Sequence, residues 1–342
     1  MDNLYSFSQS SLTELLSSWG QPRFRSQQIW SWLYERGVDD ISDMTDLPRK
    51  LRQKLEGSFK LGELKIELEQ NSEDGTQKRL YRLHDEKLIE SVLMKYADGR
   101  RTACISSQAG CAMGCVFCAT GQMGFQRQLA AYEIFEQAQL FSRQLKVRGE
   151  RLSNIVLMGM GEPFHNYDAV IESIHMIMER LGIGARRITV STVGLVPKIL
   201  RFAKEGLQVK LAVSLHSVSN AKRSAIMPVN RKYPVEDLIS ACRKYIDATN
   251  RRITFEWALI AEENDTEEEA TQLARRIRSL KCHVNVIPLN PTGGYLGLPS
   301  QNSSVDKFVQ ILNDHGIPAT VRMRRGIDID AGCGQLRSKV DR

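Results

Sequence analysis

The chain has 342 residues, 42% hydrophobic and 25% charged, which is usual for a soluble globular protein of one or two domains. It has no apolar run of transmembrane length and no signal peptide, so we expect a cytoplasmic protein that does not bind membranes. A net charge of +7 leans toward a polyanionic partner, and seven cysteines in such a chain indicate metal binding or catalysis rather than a disulfide framework.

The first part of the chain, residues 1–60, has the pattern of a small helical domain. Ser11, with Glu14 three residues later, predicts a helix N-cap. Apolar residues then recur at helical spacing, which predicts a small core containing Trp30, Leu33 and Tyr34.

The next part, residues 61–97, is predicted to be rich in β-strands. Residues 64–69 alternate apolar and polar side chains, as a half-exposed strand does, and residues 79–83 and 89–94 repeat the pattern. A further strand is expected at 102–105.

From residue 98 onward, strand and helix patterns alternate. Predicted helices include 167–180, 235–248 and 266–280, and the predicted strands are 154–158, 188–190, 209–214, 253–260, 282–287 and 319–323. Repeated β–α units imply a parallel sheet, either open or curled into a barrel. Ligand-binding residues are then expected at the carboxyl ends of the strands.

The most informative motif is the run CAMGCVFC, which contains Cys111, Cys115 and Cys118. Three thiolates this close can hold three irons of a [4Fe-4S] cluster, and the fourth iron stays open for a ligand. Open clusters with this spacing typically bind S-adenosylmethionine and cleave it to a carbon radical. A structural zinc site is the alternative, although only Cys115 and Cys118 form the C-x2-C half that zinc sites usually pair with a second half.

Polar and glycine residues follow several of the predicted strands. Backbone atoms at Gly161 and the carboxylate of Glu162 could accept hydrogen bonds from the amino group of S-adenosylmethionine. Further candidates at strand ends are Ser191, Ser214, Leu215, His216 and Asn290. Each is a weak signal, since a turn, a helix cap or a buried histidine explains it equally well, but their recurrence at successive strand ends favours a ligand site.

Two cysteines outside the run are candidates for a reactive thiol. Cys333 lies between two glycines near the end of the chain, where a flexible loop would let its thiol reach into a barrel mouth. It could also be a fourth cluster ligand or a spectator. Cys104 precedes the run by seven residues and could exchange with Cys333. Cys242 and Cys282 are predicted to be core residues.

Taken together, these motifs resemble the radical S-adenosylmethionine methyltransferases that modify adenine in RNA, and most closely the adenine-C2 branch. The resemblance rests on 104–108, 111–118, 159–163, 214–216, 227–231, 331–336 and the N-terminal 27–30. It implies a partial (β/α) barrel over 98–342 that ends in a catalytic cysteine loop, a helical RNA-binding accessory domain over 1–60, and a β-rich connecting segment over 61–97. Gly332 departs from the alanine expected there and should loosen the loop.

The resemblance also implies residue roles. The three cysteines of the run would bind the cluster, and the strand-end residues would line the S-adenosylmethionine site. Cys333 would carry the methyl group, Cys104 would resolve it, and Glu90 would accept a proton, although its spacing to Cys104 is one residue longer than expected. Arginines near Cys333 would contact phosphates, namely Arg322, Arg324, Arg325 and Arg337.

The implied reaction is methylation of adenosine C2 in 23S ribosomal RNA and in transfer RNA, with two S-adenosylmethionine molecules per turnover. An electron donor such as flavodoxin or ferredoxin and a monomeric enzyme are expected. The rivals are adenine-C8 methylation by the same chemistry and a zinc-stabilised RNA-binding protein without catalysis.

Overall fold

The computed structural model describes residues 2–337. The N-terminal part contains α1 (Gln9–Ser18), α2 (Phe24–Trp30) and α3 (Arg49–Ser58), flanked by two short parallel strands, β1 (Asp2–Asn3) and β2 (Phe59–Lys60). Trp30 and Leu33 are buried and Tyr34 packs against them, as predicted. The predicted cap at Ser11 is wrong by one turn, because Ser8 caps α1 and Ser11 is its reciprocal partner at the third helical position.

The remaining elements form the larger part of the molecule. The strands are β3 (Lys65–Asn71), β4 (Gln77–Arg82), β5 (Leu88–Lys95), β6 (Arg101–Cys104), β7 (Gln108–Gly110), β8 (Phe125–Gln128), β9 (Asn154–Leu157), β10 (Ile188–Thr192), β11 (Lys210–Ser214), β12 (Ile253–Leu259), β13 (Cys282–Pro288) and β14 (Ala319–Val321). The helices are α4 (Ala119–Gln122), α5 (Ala131–Val147), α6 (Tyr167–Leu181), α7 (Val196–Phe202), α8 (Asn220–Ile226), α9 (Val235–Thr249), α10 (Glu267–Ile277) and α11 (Asn302–Asp314).

Ten of these strands form one sheet in the order β14-β13-β12-β11-β10-β9-β6-β5-β4-β3. The strands from β6 through β9 to β14 are parallel, whereas β5, β4 and β3 extend the sheet in antiparallel fashion. This arrangement confirms the predicted partial (β/α) barrel. The predicted strand at 64–69 exists as β3 on the edge of the sheet. Leu64 is buried, whereas Ile66 and Leu68 are 47% and 41% exposed.

The C-terminal loop spans the gap between the two edges of the sheet. After β14, Asp328 accepts a 2.6 Å hydrogen bond from Ser72 in the β3–β4 turn, and Gly326 donates to Asp74 in the same turn. The loop that carries Cys333 is therefore fixed over the open side of the barrel, beside the carboxyl ends of the parallel strands.

One continuous hydrophobic core runs from Leu4 in the N-terminal part to Leu336 in the last loop. Arg180 on α6 ties the two regions together, since it donates hydrogen bonds to the backbone oxygens of Tyr5 and Phe7. The division into domains at residues 60 and 97 therefore stays a prediction. No helix in residues 2–337 is long and apolar enough to cross a membrane.

Candidate active site

The three-cysteine run forms a buried loop between β7 and α4. Cys111 donates its backbone N–H to Gly124, and Cys118 donates to Cys115, so the loop folds back on itself. Val116 donates to the carbonyl of Ile226 and thereby anchors the loop to the end of α8. The sequence thus places all three thiols in one rigid turn above the barrel.

Burial raises the pKa of these thiols: that of Cys111 to about 12, and that of Cys115 well above the ordinary value. Such groups ionise when a metal replaces their protons. Among the described residues, the ligand atoms of Glu63, His84 and Glu133 all lie within 4.8 Å of one another. The sulfur atoms of the three cysteines do not meet this limit. Thiolates around a single tetrahedral zinc would lie about 3.8 Å apart, given Zn–S bonds of about 2.3 Å. At least one Sγ–Sγ distance in the loop therefore exceeds 4.8 Å, which is longer than a single tetrahedral zinc would hold.

A cavity of about 160 Å³ lies directly beneath this loop, at the carboxyl ends of the parallel strands. Cys115 and Cys118 form part of its wall, and six of the seven predicted cofactor residues line it: Gly161, Glu162, Ser191, Ser214, His216 and Asn290. Leu215 does not; it is fully buried in the core, and its carbonyl accepts a hydrogen bond from Arg223. Its neighbours on either side point into the cavity, as alternation along an extended chain requires.

The glycines of the turn after β9 also allow close packing within the protein. A Cβ on Gly159 would lie 2.7 Å from the backbone of Ile105, and one on Gly161 would lie 2.6 Å from the Gln108 side chain. These glycines let the turn pack against residues 105–108, and Gly161 adopts a φ of +100° that favours glycine. The close packing holds Glu162 at the cavity wall.

Glu162 is one of two buried acidic side chains that line this cavity, the other being Glu256. Its carboxylate accepts hydrogen bonds from the backbone N–H groups of Phe164 and Val193, at 3.0 and 2.8 Å. Burial raises the pKa of Glu162 to about 7, despite these bonds. A cationic amino group entering the cavity would stabilise the ionised form, so the residue fits the predicted binding of S-adenosylmethionine.

His216 is a buried, neutral histidine. Its Nδ1 accepts a 2.8 Å hydrogen bond from the backbone of Ala258, so the proton resides on Nε2, and burial lowers its pKa to about 3. The ring packs edge-on against Phe117 of the cysteine loop, with centroids 5.0 Å apart. The backbone of His216 has φ +56°, an unusual conformation that tends to mark functional sites.

Asn290 has one side-chain polar atom that is hydrogen-bonded and one that is not. Its Nδ2 donates to the carbonyl of Cys333 at 3.0 Å, whereas its Oδ1 is buried with no partner among the described residues. Buried acceptors without partners are uncommon in native structures. An adenine amino group or a ribose hydroxyl in the cavity would satisfy this oxygen.

A second, smaller cavity adjoins the first and contains the two predicted reactive thiols. Cys104 and Cys333 both line it, both are free thiols, and Cys333 lines the first cavity as well. Burial, followed by the charge of Cys333, raises the pKa of Cys104 to about 12. Cys333 therefore lies between the predicted cofactor site and Cys104.

Arg322 lies between the two cavities and lines both. It is one of the arginines near Cys333 that were expected to contact phosphates. Its Nη1 lies 3.4 Å from the sulfur of Met158, and its charge acts on both Cys104 and Cys333. Arg322 supplies the positive charge beside the two thiols, and the exposed Arg324 is better placed for a phosphate.

Glu90 lines neither cavity. It is 3% exposed, its Oε1 lies 3.3 Å from the ammonium group of Lys78, and its Oε2 accepts the backbone N–H of Arg337 at 2.8 Å. Lys78 in turn donates to the carbonyl of Asp330. This pair therefore holds both ends of the Cys333 loop, a role that the sequence did not indicate for Lys78.

Arg223 is a further residue that sequence reasoning missed. It is fully buried on α8 and donates to the carbonyls of Val193, Ser214 and Leu215. It thereby fixes the ends of two strands at the cavity. No local motif marks it, because a single arginine in a short helix is usually a surface residue.

A three-cysteine loop above a partial barrel, with a polar cavity at the strand ends, defines a radical S-adenosylmethionine (SAM) enzyme. Consistent with this, residues 105–274 match the Radical SAM superfamily, and residues 2–61 match the ribosomal RNA large subunit methyltransferase N-terminal domain. The superfamily implies a [4Fe-4S] cluster and SAM as cofactors, which the cysteines and cavity described above can accommodate.

Relatives along the whole chain narrow the assignment. The chain is 48% identical to dual-specificity RNA methyltransferase RlmN 1 of Myxococcus xanthus, covering 99% of this chain and 95% of that protein. It is 46% identical to a probable enzyme of the same name from Geobacillus kaustophilus, with 99% and 93% covered. The crystal structure of a radical SAM methyltransferase from Sphaerobacter thermophilus superposes with a TM-score of 0.96 at 48% identity, covering 99% of this chain and all of that one. The chain belongs to the RlmN family of radical SAM RNA methyltransferases.

Proposed function

We propose that this enzyme methylates C2 of an adenosine in 23S ribosomal RNA, and also in transfer RNA, with Cys333 as the methyl carrier. The main support for this proposal is the position of Cys333. This residue lines both the predicted cofactor cavity and the smaller cavity that contains Cys104. The names of the relatives, which specify dual-specificity RNA methylation, support the choice of substrate.

A carrier thiol is needed because adenine C2 cannot itself take the methyl group from SAM. Adenine C2 is electron-poor and cannot attack the methyl group of a sulfonium. A cysteine thiolate can, so Cys333 would displace the methyl group from one SAM molecule and release S-adenosylhomocysteine. The neighbouring Arg322 would stabilise the attacking thiolate.

Cys111, Cys115 and Cys118 would hold the [4Fe-4S] cluster, and Glu162, Ser191, Ser214, His216, Asn290 and Gly161 would hold SAM. Leu215 would contribute through packing alone. When bound, the cluster would supply the electron that cleaves a second SAM molecule to a deoxyadenosyl radical. Cys333 would present its methyl group toward that end of the cavity, where the deoxyadenosyl radical would take one methyl hydrogen and leave as 5′-deoxyadenosine. The remaining CH2 carbon on Cys333 would then bond to C2 of the adenine.

Cys104 and Glu90 would complete the cycle. Glu90 would accept the C2 proton while the adduct radical gives up one electron, which the cluster would accept when bound. This requires that the Lys78–Glu90 pair release the Cys333 loop and admit the base. Cys104 thiolate would attack the sulfur of Cys333, free the methylated RNA and leave a disulfide for reduction. The enzyme would be a cytoplasmic monomer and would receive electrons from a flavodoxin or ferredoxin.

Anaerobic turnover tests the proposal. The reconstituted enzyme, a reductant, labelled SAM and a ribosomal RNA hairpin are combined, and nuclease digests are analysed by mass spectrometry. We expect 2-methyladenosine together with 5′-deoxyadenosine. If 8-methyladenosine is the sole methylated product, the C2 assignment is wrong; if a cluster-loaded enzyme gives neither product, methyl transfer is wrong.

A further inference from the structure

The loop that follows β13 carries two leucines that point into solvent. Leu296 is 98% exposed and Leu298 is 69% exposed. Half of the large hydrophobic residues that are exposed in the described chain lie on this loop, on the β7–β8 hairpin or on the segment after β14: Phe125, Leu296, Leu298, Met323 and Ile327. The loop itself starts at the active site, because Asn290 lines both cavities. Exposed apolar side chains on such a loop are candidates for a binding surface.

The leucine tip is held firmly on its N-terminal side. Tyr295 packs against the apolar cluster that includes Cys115 and Leu289, and its hydroxyl donates to Glu263 at 2.7 Å. Thr292 accepts a hydrogen bond from Gln122, which lies on α4 directly after the cysteine loop. The tip is thus attached to the loop that would carry the cluster.

The tip is also held on its C-terminal side. The carbonyl of Leu298 accepts from the backbone of Ala261, and Pro299 bridges to Ile260. Between the two anchors, a Cβ on Gly297 would lie 2.3 Å from the Tyr295 ring, so only glycine lets the chain double back here. The chain therefore presents Leu296 and Leu298 from a fixed turn rather than from a loose loop.

The same loop borders the catalytic loop. Asn290, at its start, donates to the carbonyl of Cys333, and Gln335 donates to the carbonyl of Pro291. The Arg337 guanidinium lies 4.0 Å from the position of a Cβ on Gly293. A polyanion that approaches this loop would meet the Arg337–Asp330 pair beside an apolar tip that can pack against bases.

We propose that Leu296 and Leu298 form a wedge that packs against the bases next to the target adenosine and holds that adenosine out of its stack. This inference rests on the proposed function. Because Cys333 lies between two cavities inside the protein, the adenine must leave its neighbours before C2 can reach the carrier, and unstacking a base has a cost of a few kcal/mol. Apolar side chains inserted between base steps are a known means of compensating that cost.

The test compares two RNAs of the same sequence around the target, one a stable hairpin and the other a short single strand. Replacing both leucines by alanine should lower kcat/KM on the hairpin by about ten- to a hundredfold and on the single strand by less than about threefold. Leu296→Met should retain most of the activity. Val147→Ala is the matched control, since Val147 is 91% exposed at the far end of α5 and should have no effect.

A binding measurement separates the wedge from the proposed function. With 2-aminopurine beside the target adenosine, the wild type should raise the fluorescence of the hairpin on binding, and the double alanine variant should not. This readout needs no turnover, so it stands even if the site of methylation is wrong. Methylation of Cys333 by labelled SAM without RNA should be unchanged in the variant.

Equal losses on both RNAs, or no loss on the hairpin, would overturn the wedge. A variant that is slow with a protein electron donor but normal with dithionite would assign the tip to the donor instead. Wild-type enzyme that unstacks the probe but methylates neither RNA would contradict the proposed function and leave the wedge supported.

Discussion

The carboxylate of Glu90 lies 3.3 Å from the ammonium group of Lys78, and both side chains are more than nine-tenths buried. Together they hold Arg337 and Asp330, which flank the loop of Cys333. The residue proposed to accept the substrate proton is therefore also the one that fixes the Cys333 loop. Entry of the base and release of this pair would be the same event.

Removing Lys78 should destabilise the protein strongly. Lys78→Met leaves the Glu90 carboxylate buried with only the Arg337 N–H, and breaking a buried pair in this way costs about 3 kcal/mol or more. The free energy of unfolding, measured by urea titration of the cluster-loaded enzyme, should fall by that amount. The second change Glu90→Gln in the same chain should restore part of the loss, because it removes the unpaired charge.

Arg82→Gln is the control for Lys78→Met. Arg82 is on the same strand, β4, and pairs with Glu67 and Glu86 at the surface. Solvent screens such pairs, so this change should lower the free energy of unfolding much less. Equal effects of the two substitutions would show that the Lys78–Glu90 pair does not hold the loop.

Arg322 should control the reactivity of Cys104. Burial raises the pKa of Cys104 to about 12, and the charge of Arg322 opposes that rise. Without the charge, the pKa of Cys104 rises further, so less thiolate is present at a given pH and the rate profile moves to higher pH. Arg322→Met should slow decay of the Cys333–RNA adduct about tenfold or more near neutral pH.

The measurement is the first-order decay of that adduct from about pH 7 to about pH 9. Arg322→Lys keeps a positive charge and should remain closer to the wild type than Arg322→Met. This whole range lies far below the Cys104 pKa of about 12, so a further rise in that pKa lowers the rate by the same factor at each pH, and the comparison with Arg322→Lys decides. Equal losses in Arg322→Lys and Arg322→Met would indicate a structural role for Arg322 rather than one that depends on its charge.

Much of this architecture could be predicted from the sequence. The alternation of strands and helices fixes a parallel sheet, and such a sheet brings the ends of its strands to one edge, which is why six of seven predicted cofactor residues meet in one cavity. The cysteine run was recognisable because its spacing is local. Leu215 does not line the cavity, and a motif of three consecutive residues does not say which of its side chains points inward.

The rest depends on tertiary contacts that no local pattern records. Lys78 belongs to the polar run of β4 and has the pattern of a surface residue, yet the C-terminal loop covers it. Arg322 is one of three arginines in four residues, which suggested a phosphate-binding patch, but it continues the line of β14 by donating its N–H to Val286 and so faces the barrel interior. The burial of each is decided by a segment far away in sequence.

Substitution of Cys333 and of Cys104 should block RNA methylation at different steps. Cys333→Ala removes the methyl acceptor, so we expect no RNA methylation, while the cluster content and the cleavage of SAM persist. Cys104→Ala keeps the carrier but lacks the group that frees it, so RNA should accumulate covalently attached to Cys333. Denaturing gels of enzyme with labelled RNA distinguish the two outcomes.

Cys242→Ala is the matched control for the thiol variants. Cys242 is also a fully buried cysteine, but it lies on α9 outside both cavities. Its replacement should leave RNA methylation intact and yield no adduct. Release of free methylated RNA at the normal rate by Cys104→Ala would contradict the resolving role.

Glu136 on α5 should make stability depend on pH. Its carboxylate accepts hydrogen bonds from the backbone of Glu63 and Leu64, where the helical part meets β3, and burial raises its pKa from 4.5 to about 7. Between these values the folded protein holds a proton that the unfolded chain has lost. The contribution of Glu136 to the free energy of unfolding is therefore greatest below about pH 4.5. It falls by about 3 kcal/mol as the pH rises to about 7.

Glu136→Gln should remove that part of the pH dependence. The check is urea unfolding at about pH 5 and about pH 7, where the wild type should lose more stability between the two values than the variant. Glu150→Gln is the control: Arg101 lowers the pKa of Glu150, so its contribution is lost only as the pH falls toward the acidic range. An unchanged difference between the two pH values in Glu136→Gln would mean that this carboxyl titrates normally, and that the junction between the helical part and β3 does not depend on its protonation.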